Sequence, residues 1–147
     1  MADFVFNIMK GKFAYYAGLP AASDALILVP IESSGIEADA TLKDYDDLSA
    51  LLGGSSNEQT TFGRKTITSV TVTVDDANER VDVDCADQTW TGATGNAVGA
   101  LLFCYDNDTG AGTDANIVPG TKHDFAITPD GSDVTAVIAS AGFYRAS

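Results

Sequence analysis

Three carboxylates and two glycines fall within nine residues in "DNDTGAGTD", Asp106 to Asp114, directly after the apolar run "AVGALLFCY". Such a stretch could hold calcium, cradle a phosphate or turn the chain between two strands. A calcium loop of the EF-hand kind needs oxygen ligands at positions one, three, five and twelve, with glycine at six. Counted from Asp106, position three is Asp108, but position five is Gly110 and position twelve is Ile117 where a bidentate glutamate belongs. What is left for calcium is a generic site of Asp106, Asp108 and Asp114. A phosphate cradle fits less well, because the loop has no lysine and its carboxylates repel the ligand. The stretch reads as a turn.

The other groups that could do chemistry are few. "GATGNAVG" lacks the spacing, the following helix and the basic residue of a nucleotide fingerprint, and its glycines read as a strand start that packs closely on its neighbours. His123, the only histidine, stands beside Asp124. With no GxSxG elbow, every serine lacks an evident base, so His123 reads as a surface or strand-end residue. Carboxylate pairs such as Asp46 with Asp47 and Asp75 with Asp76 are expected in a chain this acidic and say nothing about glycosidase chemistry. Cys85 and Cys104 each lie inside an apolar pattern and read as small buried hydrophobes; two thiols without further partners cannot make a structural zinc site. The sequence therefore predicts no catalytic residue, no cofactor and no metal site, and a protein that is not an enzyme.

The elements around these groups are mostly strands. "FVFNIM" places Phe4, Phe6 and Ile8 on one face at period two, and "KFAYY" continues with β-favouring aromatics after Gly11. "ALILVPIE" is a buried strand whose Pro30 suits an edge or a strand end. In "ITSVTVTV" the residues Val70, Val72 and Val74 face inward, and in "RVDVDC" Val81, Val83 and Cys85 do the same across a "DDANE" hairpin loop. Val98 to Tyr105 is apolar on both parities and reads as a central strand. "DFAIT" and "DVTAVI" form a second hairpin around "PDGS", and "AGFYRAS" ends the chain as a short strand. One helix is expected over residues ~41–52, capped by Thr41, with Leu42, Tyr45, Leu48 and Leu52 on one side and Gly53 as its stop. About eight strands and one short helix indicate a mainly β protein, an antiparallel β-sandwich or jelly-roll-like barrel, with residues 1–147 as one domain.

Twenty-one acidic against eight basic residues give a formal net charge of −13, a field that repels phosphate backbones and anionic lipid surfaces. Nucleic acid and membrane are therefore not expected partners. The first twenty residues show no basic start, apolar core or cleavage site of an export signal, so "NDT" at Asn107 is not read as a glycosylation acceptor and the protein is expected to stay where it is made. Aromatic residues gather near the two ends. Phe4, Phe6, Ile8, Tyr15, Tyr16, Phe143, Tyr144 and Arg145 suit either a core or an interface, because aromatic anchors and arginine are what interfaces use.

The segments "TWTGATGNAVGALLFCYDNDTGAGTDANIV" and "HDFAITPDGSDVTAVIASAGFYR" resemble the small head decoration and minor head proteins of tailed bacteriophages. The likeness rests on an apolar strand ending in Tyr105 before Asp108-Thr109-Gly110, and on the "DGSD" turn from Asp130 to Asp133. "IESSGIEADATLKDYDDLSALL" is similar to a capping region of actinobacterial phage relatives, whereas "NIVPGTKHD" departs from the uninterrupted strand those relatives run. The resemblance implies a capsid decoration (cement) protein, made in the bacterial host cytoplasm and carried on the outer capsid surface of the virion. Its implied partner is the major capsid protein, and its implied state a homo-oligomer, with a trimer favoured. Residues 1–9 are expected as an extended N-terminal arm or exchanged strand that adds to a neighbouring chain. Two other readings use the same sheets: a phage tail or connector component, and a carbohydrate-binding β-module that presents Trp90 as a sugar platform.

Overall fold

The computed structural model describes residues 2–147. Strand accounts for 36% of residues and helix for 14%, so the protein is mainly β. Among the described residues the strands are β1 (Phe4–Val5), β2 (Ala25–Glu32), β3 (Lys65–Ile67), β4 (Thr71–Asp75), β5 (Arg80–Asp84), β6 (Gln88–Trp90), β7 (Val98–Asp106), β8 (Val118–Ile127), β9 (Val134–Ala136) and β10 (Tyr144–Ala146). Three short helices accompany them: α1 (Phe13–Ala17), α2 (Asp39–Leu42) and α3 (Leu48–Leu52). The strands form three antiparallel sheets in the orders β1-β8-β7-β2-β3, β10-β5-β4 and β6-β9. They pack face to face as in a sandwich, and no sheet closes into a barrel.

Why β2 and β7 are apolar on both parities follows from their position. Leu26, Leu28, Leu101 and Phe103 point into one core, against Val83, Trp90, Val134 and Tyr144 of the two smaller sheets and Phe13 of α1. The alternate residues Ile27, Val29, Ile31, Leu102 and Cys104 point into a second core beneath Leu42 of α2 and Leu48 and Leu51 of α3. A strand covered on both faces must read as a continuous apolar run. Val98 and Leu101 share a core although an odd number of positions, three, divides them, because the register shifts between Val98 and Ala100 and again opposite, between Ile31 and Glu32. That bulge turns the strand's faces over. Pro30 is tolerated in an interior strand because β3 pairs only with Leu26 to Leu28. Beyond β3 the Pro30 carbonyl accepts from the Gln59 N–H at 2.9 Å, so the missing donor faces an irregular loop.

Several local expectations are corrected. "KFAYY" is helix α1, not strand; Gly11 at φ +73° turns the chain from a short 3-10 segment at Asn7–Met9 into it. The single helix over residues ~41–52 is two. The Lys43 carbonyl accepts from the Asn7 N–H at 2.8 Å, and Asp47, not Thr41, provides a side-chain cap by accepting from the Ala50 N–H at 2.7 Å. An acceptor side chain in the middle of the run thus restarts the helix. "DFAIT" and "DVTAVI" do not form a hairpin: β9 pairs with β6, in another sheet from β8. The turn between them docks on residues 92 and 93, with the Gly131 N–H donating to the Ala93 carbonyl and the Gly92 N–H to Asp133, which carries the chain across the seam. Val74 is 70% exposed, because β4 is an edge strand whose hairpin with β5 runs past the core.

Strand β8 runs unbroken through "VPGTKHD", the segment where the resemblance fails, and a register shift between Phe103 and Cys104 absorbs Pro119. Gly120 is required there. A Cβ on it would overlap the Phe13 ring and lie 2.7 Å from the Phe103 carbonyl oxygen. Gly120→Ala is expected to lower stability by about 1–3 kcal/mol, measured as a fall in the urea midpoint at unchanged slope.

Candidate functional site

In the loop after β7 the carboxylates turn inward on the loop itself. Asp106 accepts from the Asp108 N–H at 3.0 Å, and Asp108 accepts from the N–H groups of Gly110 and Ala111 at 3.0 and 3.1 Å. Thr109 donates through both its backbone N–H and its hydroxyl to the Ser23 carbonyl, tying the loop to the start of β2. Asp114 takes two bonds from the Arg64 guanidinium, whose other side is held by Glu58 at 2.6 and 2.8 Å. The two acids hold the Arg64 proton well above its ordinary value, and Arg64 in turn keeps the Asp114 carboxyl below the usual range. Among the described residues, no group of three or more His, Cys, Asp or Glu side chains is placed to hold a metal ion. The nine-residue stretch is a turn.

A second polar cluster has no counterpart in the sequence reading. Lys122 of β8 has no exposed side-chain surface, yet its ammonium makes four contacts: the Asp124 carboxylate, Asp39 at the start of α2 at 3.3 Å, the Ala2 carbonyl at 3.0 Å and the Phe4 ring at 5.4 Å. The Ala2 N–H donates to the other Asp39 oxygen at 2.7 Å. Burial works to raise the Asp39 carboxyl, and the Ala2 N–H and the Lys122 charge outweigh it, leaving the group below the usual carboxylate range. Strand alternation places Lys122 on the face that Leu102 shares, opposite it in register. Nothing in the sequence, however, shows that Asp39, from a distant helix, lies above it.

These contacts fasten the N-terminal segment. β1 pairs in cis with Thr121 and Lys122 of the chain's own β8, Phe6 is fully buried, and Asp3 accepts from the Asp124 N–H at 2.7 Å. Within the single chain the segment from residue 2 onward is seated on its own sheet: Phe6 has a place in the helix-covered core, and Lys122 takes the Ala2 carbonyl as a partner.

Between the two layers, beside this segment, lies a cavity of about 360 Å³. Leu101, Phe103, Phe125, Ile138 and Phe143 line it, and Asp3, His123 and Asp124 stand at its mouth. Phe143 stacks on Phe103 with centroids 3.8 Å apart, and the His123 ring meets Phe103 edge-on. His123 lies 3.0 Å from the Thr121 hydroxyl through Nε2 and 3.4 Å from Asp3 through Nδ1. Burial holds its imidazole below the ordinary value against the opposing pull of Asp3. His123 is therefore a packed strand residue at a cleft, not a surface residue.

The expected interface residues separate into groups. Phe6 and Tyr144 are core, and Ile8 is half-buried against it. Phe4, Phe143, Tyr144 and Arg145 surround a second hollow beside β1, together with Asp3 and His123. Arg145 is tied to Asp82 by a 2.5 Å bond. Tyr15 is 69% exposed on α1, and Tyr16 packs edge-on against both Tyr15 and Tyr105. Trp90 is buried, stacked on Phe62 at 4.4 Å, and donates its indole N–H to the Gly63 carbonyl, so it presents no platform to a sugar. Cys85 and Cys104 are free and buried, as the apolar patterns predict, and burial raises their thiols to about 11 and about 12. No helix is long and apolar enough to cross a membrane. No protein-family model matches the chain, and no curated protein or solved structure matches it.

Two measurements probe the cluster. The double variant Asp39→Ala/Asp124→Ala strands a buried ammonium and is expected to cost on the order of 3–5 kcal/mol. Lys122→Met, which keeps the stem's volume and removes the charge, is expected to cost clearly less; urea melts of both variants decide the order. The second concerns pH. Because folding lowers the His123 value, the unfolded chain takes up a proton near 6.5 that the native chain refuses. Stability should therefore begin to fall as pH drops below about 6.5, and a His123→Gln protein should show a shallower fall in its melting temperature between pH 7 and 5.

Proposed function

We propose that the protein is a virion structural protein, a capsid decoration protein that binds the outer surface of a shell of major capsid protein and stabilises it. The observation that carries this reading is the use the chain makes of its reactive side chains. Lys122, Arg64, Asp114 and the Asp106–Asp108 pair are spent on fastening the N-terminal segment and the loops to the sheets, which makes a stiff body of a small domain. The sequence motifs of the resemblance fall at those same fastenings: Asp108-Thr109-Gly110 ties β7 to the start of β2, and Asp130 to Asp133 docks on the seam.

The charge supports the outer face. A net −13 on a body of this size is opposed at a shell's interior by dense phosphate and is unopposed in water outside. A rigid body that touches more than one subunit of a repeating lattice gains effective concentration, so modest contacts suffice for retention. Oligomerisation as a trimer multiplies that gain.

The test is co-sedimentation of the purified protein with undecorated shells of a tailed-bacteriophage major capsid protein, imaged by cryo-electron microscopy. The expected outcome is saturable binding with density on the exterior at fixed lattice positions. Failure to co-sediment, or assembly of the free protein into rings or tubes, would overturn the reading, the latter in favour of a tail or connector component.

A further inference from the structure

The main sheet is closed on its β1 side for only two residues. β1 covers Thr121 and Lys122, and past them no strand of the described residues lies along β8. The Asp124 N–H on that edge is taken by Asp3, and because alternate residues of a strand face opposite neighbours, the next backbone groups turned to the open edge are the N–H and carbonyl of Ala126, between Phe125 and Ile127. This edge borders the 360 Å³ cavity between the layers, whose rim carries Val137, 76% exposed and among the most exposed large hydrophobic residues of the chain. An unpaired edge beside an apolar hollow is the geometry of strand addition, in which backbone bonds give affinity and alternate side chains fill pockets.

We propose that the β8 edge and this cleft form a docking site for an extended segment of a partner protein bearing an apolar side chain and, near it, a basic one. The apolar residue enters among Leu101, Phe103, Phe125, Ile138 and Phe143, in a volume within the range that ordinary ligand pockets occupy. Charge selects the basic neighbour. The carboxylates of Asp3 and Asp124 at the mouth are 60% and 41% exposed, whereas Lys122 has no exposed surface and its charge is matched by Asp39 and Asp124. Arg145, nearby, is engaged with Asp82. Among the described residues the carboxylates of Asp3, Asp39 and Asp124 outnumber the single ammonium of Lys122 here, so an arriving cation meets net negative charge and an acidic segment is repelled. The same argument disfavours a second copy of this chain, which carries the same net charge of −13. On the function proposed above, on which this assignment of the partner rests, the segment belongs to the major capsid protein.

Hydrogen exchange of the full chain, free and bound to undecorated shells, tests the site. Expected are slowed exchange at the Ala126 amide, a loss of affinity of about tenfold or more in Val137→Asp and in Ala126→Pro, and unchanged binding in Tyr15→Asp. Val137 is exposed, so its variant is expected to keep the wild-type circular dichroism and isolate docking from folding. Binding should also weaken with salt. If shells bind while this edge stays unprotected and Val137→Asp binds normally, the site is wrong and the function stands. If shells do not bind at all, the function fails, and an isotope-labelled chain titrated with an alternating Val/Lys peptide containing one Phe decides the site alone. Amide shifts along β8 and at residues 137–143 with that peptide, absent when its Lys are replaced by Glu, support it; no shift with either peptide refutes it.

Discussion

The pairing of β2 with β7 governs everything else in the molecule. These strands are antiparallel neighbours over most of their length and bury side chains on both faces, so neither can be exposed on one side as a two-layer sandwich allows. Each face needs its own cover. Helices α2 and α3 with Phe6 provide one, and the β10-β5-β4 and β6-β9 sheets with α1 provide the other. With roughly 1.5–3 kcal/mol for each large apolar side chain removed from water, two covered faces give a chain of this length more stabilisation than one. They also impose a layout in which distant segments must arrive on the correct side.

That requirement explains which parts of the structure are legible in sequence. Period-two alternation in "RVDVDC" and the unbroken apolar run of β7 follow from local burial, so the mainly β class and most strands can be read directly. The helix break at Asp47 cannot. Its cause is a tertiary contact, the Lys43 carbonyl turned to the Asn7 N–H, on a stretch whose own spacing favours one continuous helix. "KFAYY" misleads in the same way: β-favouring aromatics form α1 because Phe13 and Ala17 fill the core beside β5 and Tyr144. The β9 partner is likewise invisible, since a "PDGS" turn says that the chain reverses and not which sheet receives it. At the candidate site His123 and Asp124 stand out as adjacent residues, but the cleft is made by Phe143 and Ile138 arriving from the far end of the chain.

Acidic chains pay for their solubility with self-repulsion in the compact state. This one places many of its carboxylates where a donor awaits them: Asp24 on the Ala21 N–H and the Tyr105 hydroxyl, Asp82 on Arg145, Asp130 on Ser132, each held below the usual carboxylate range by those contacts. Such groups lose their stabilising effect only as pH falls through the depressed values. Tyr105 shows the other half of one such bond, its hydroxyl raised to about 12, first by burial and then by Asp24. Asp3 and Asp124 at the cleft likewise meet donors, the Asp124 N–H and the Lys122 ammonium, while keeping part of their surface in water.

Edge strands of soluble sheets are normally blunted by shortness, charge or cover. β1 is two residues long and is fastened chiefly by its flanks, through Ala2 to Lys122 and Asp39 and through Asp3 to Asp124. This device closes one end of the β8 edge and shields a buried ammonium, yet it stops short of Phe125. The hollow behind the remaining edge is lined in part by small residues, Ala136 and Ala139, where bulkier side chains would narrow it. The edge is left open beside an apolar cavity and guarded by carboxylates. A chain with a net charge of −13 can tolerate that opening without aggregating, since copies of itself are repelled from it, while a segment of opposite charge is not.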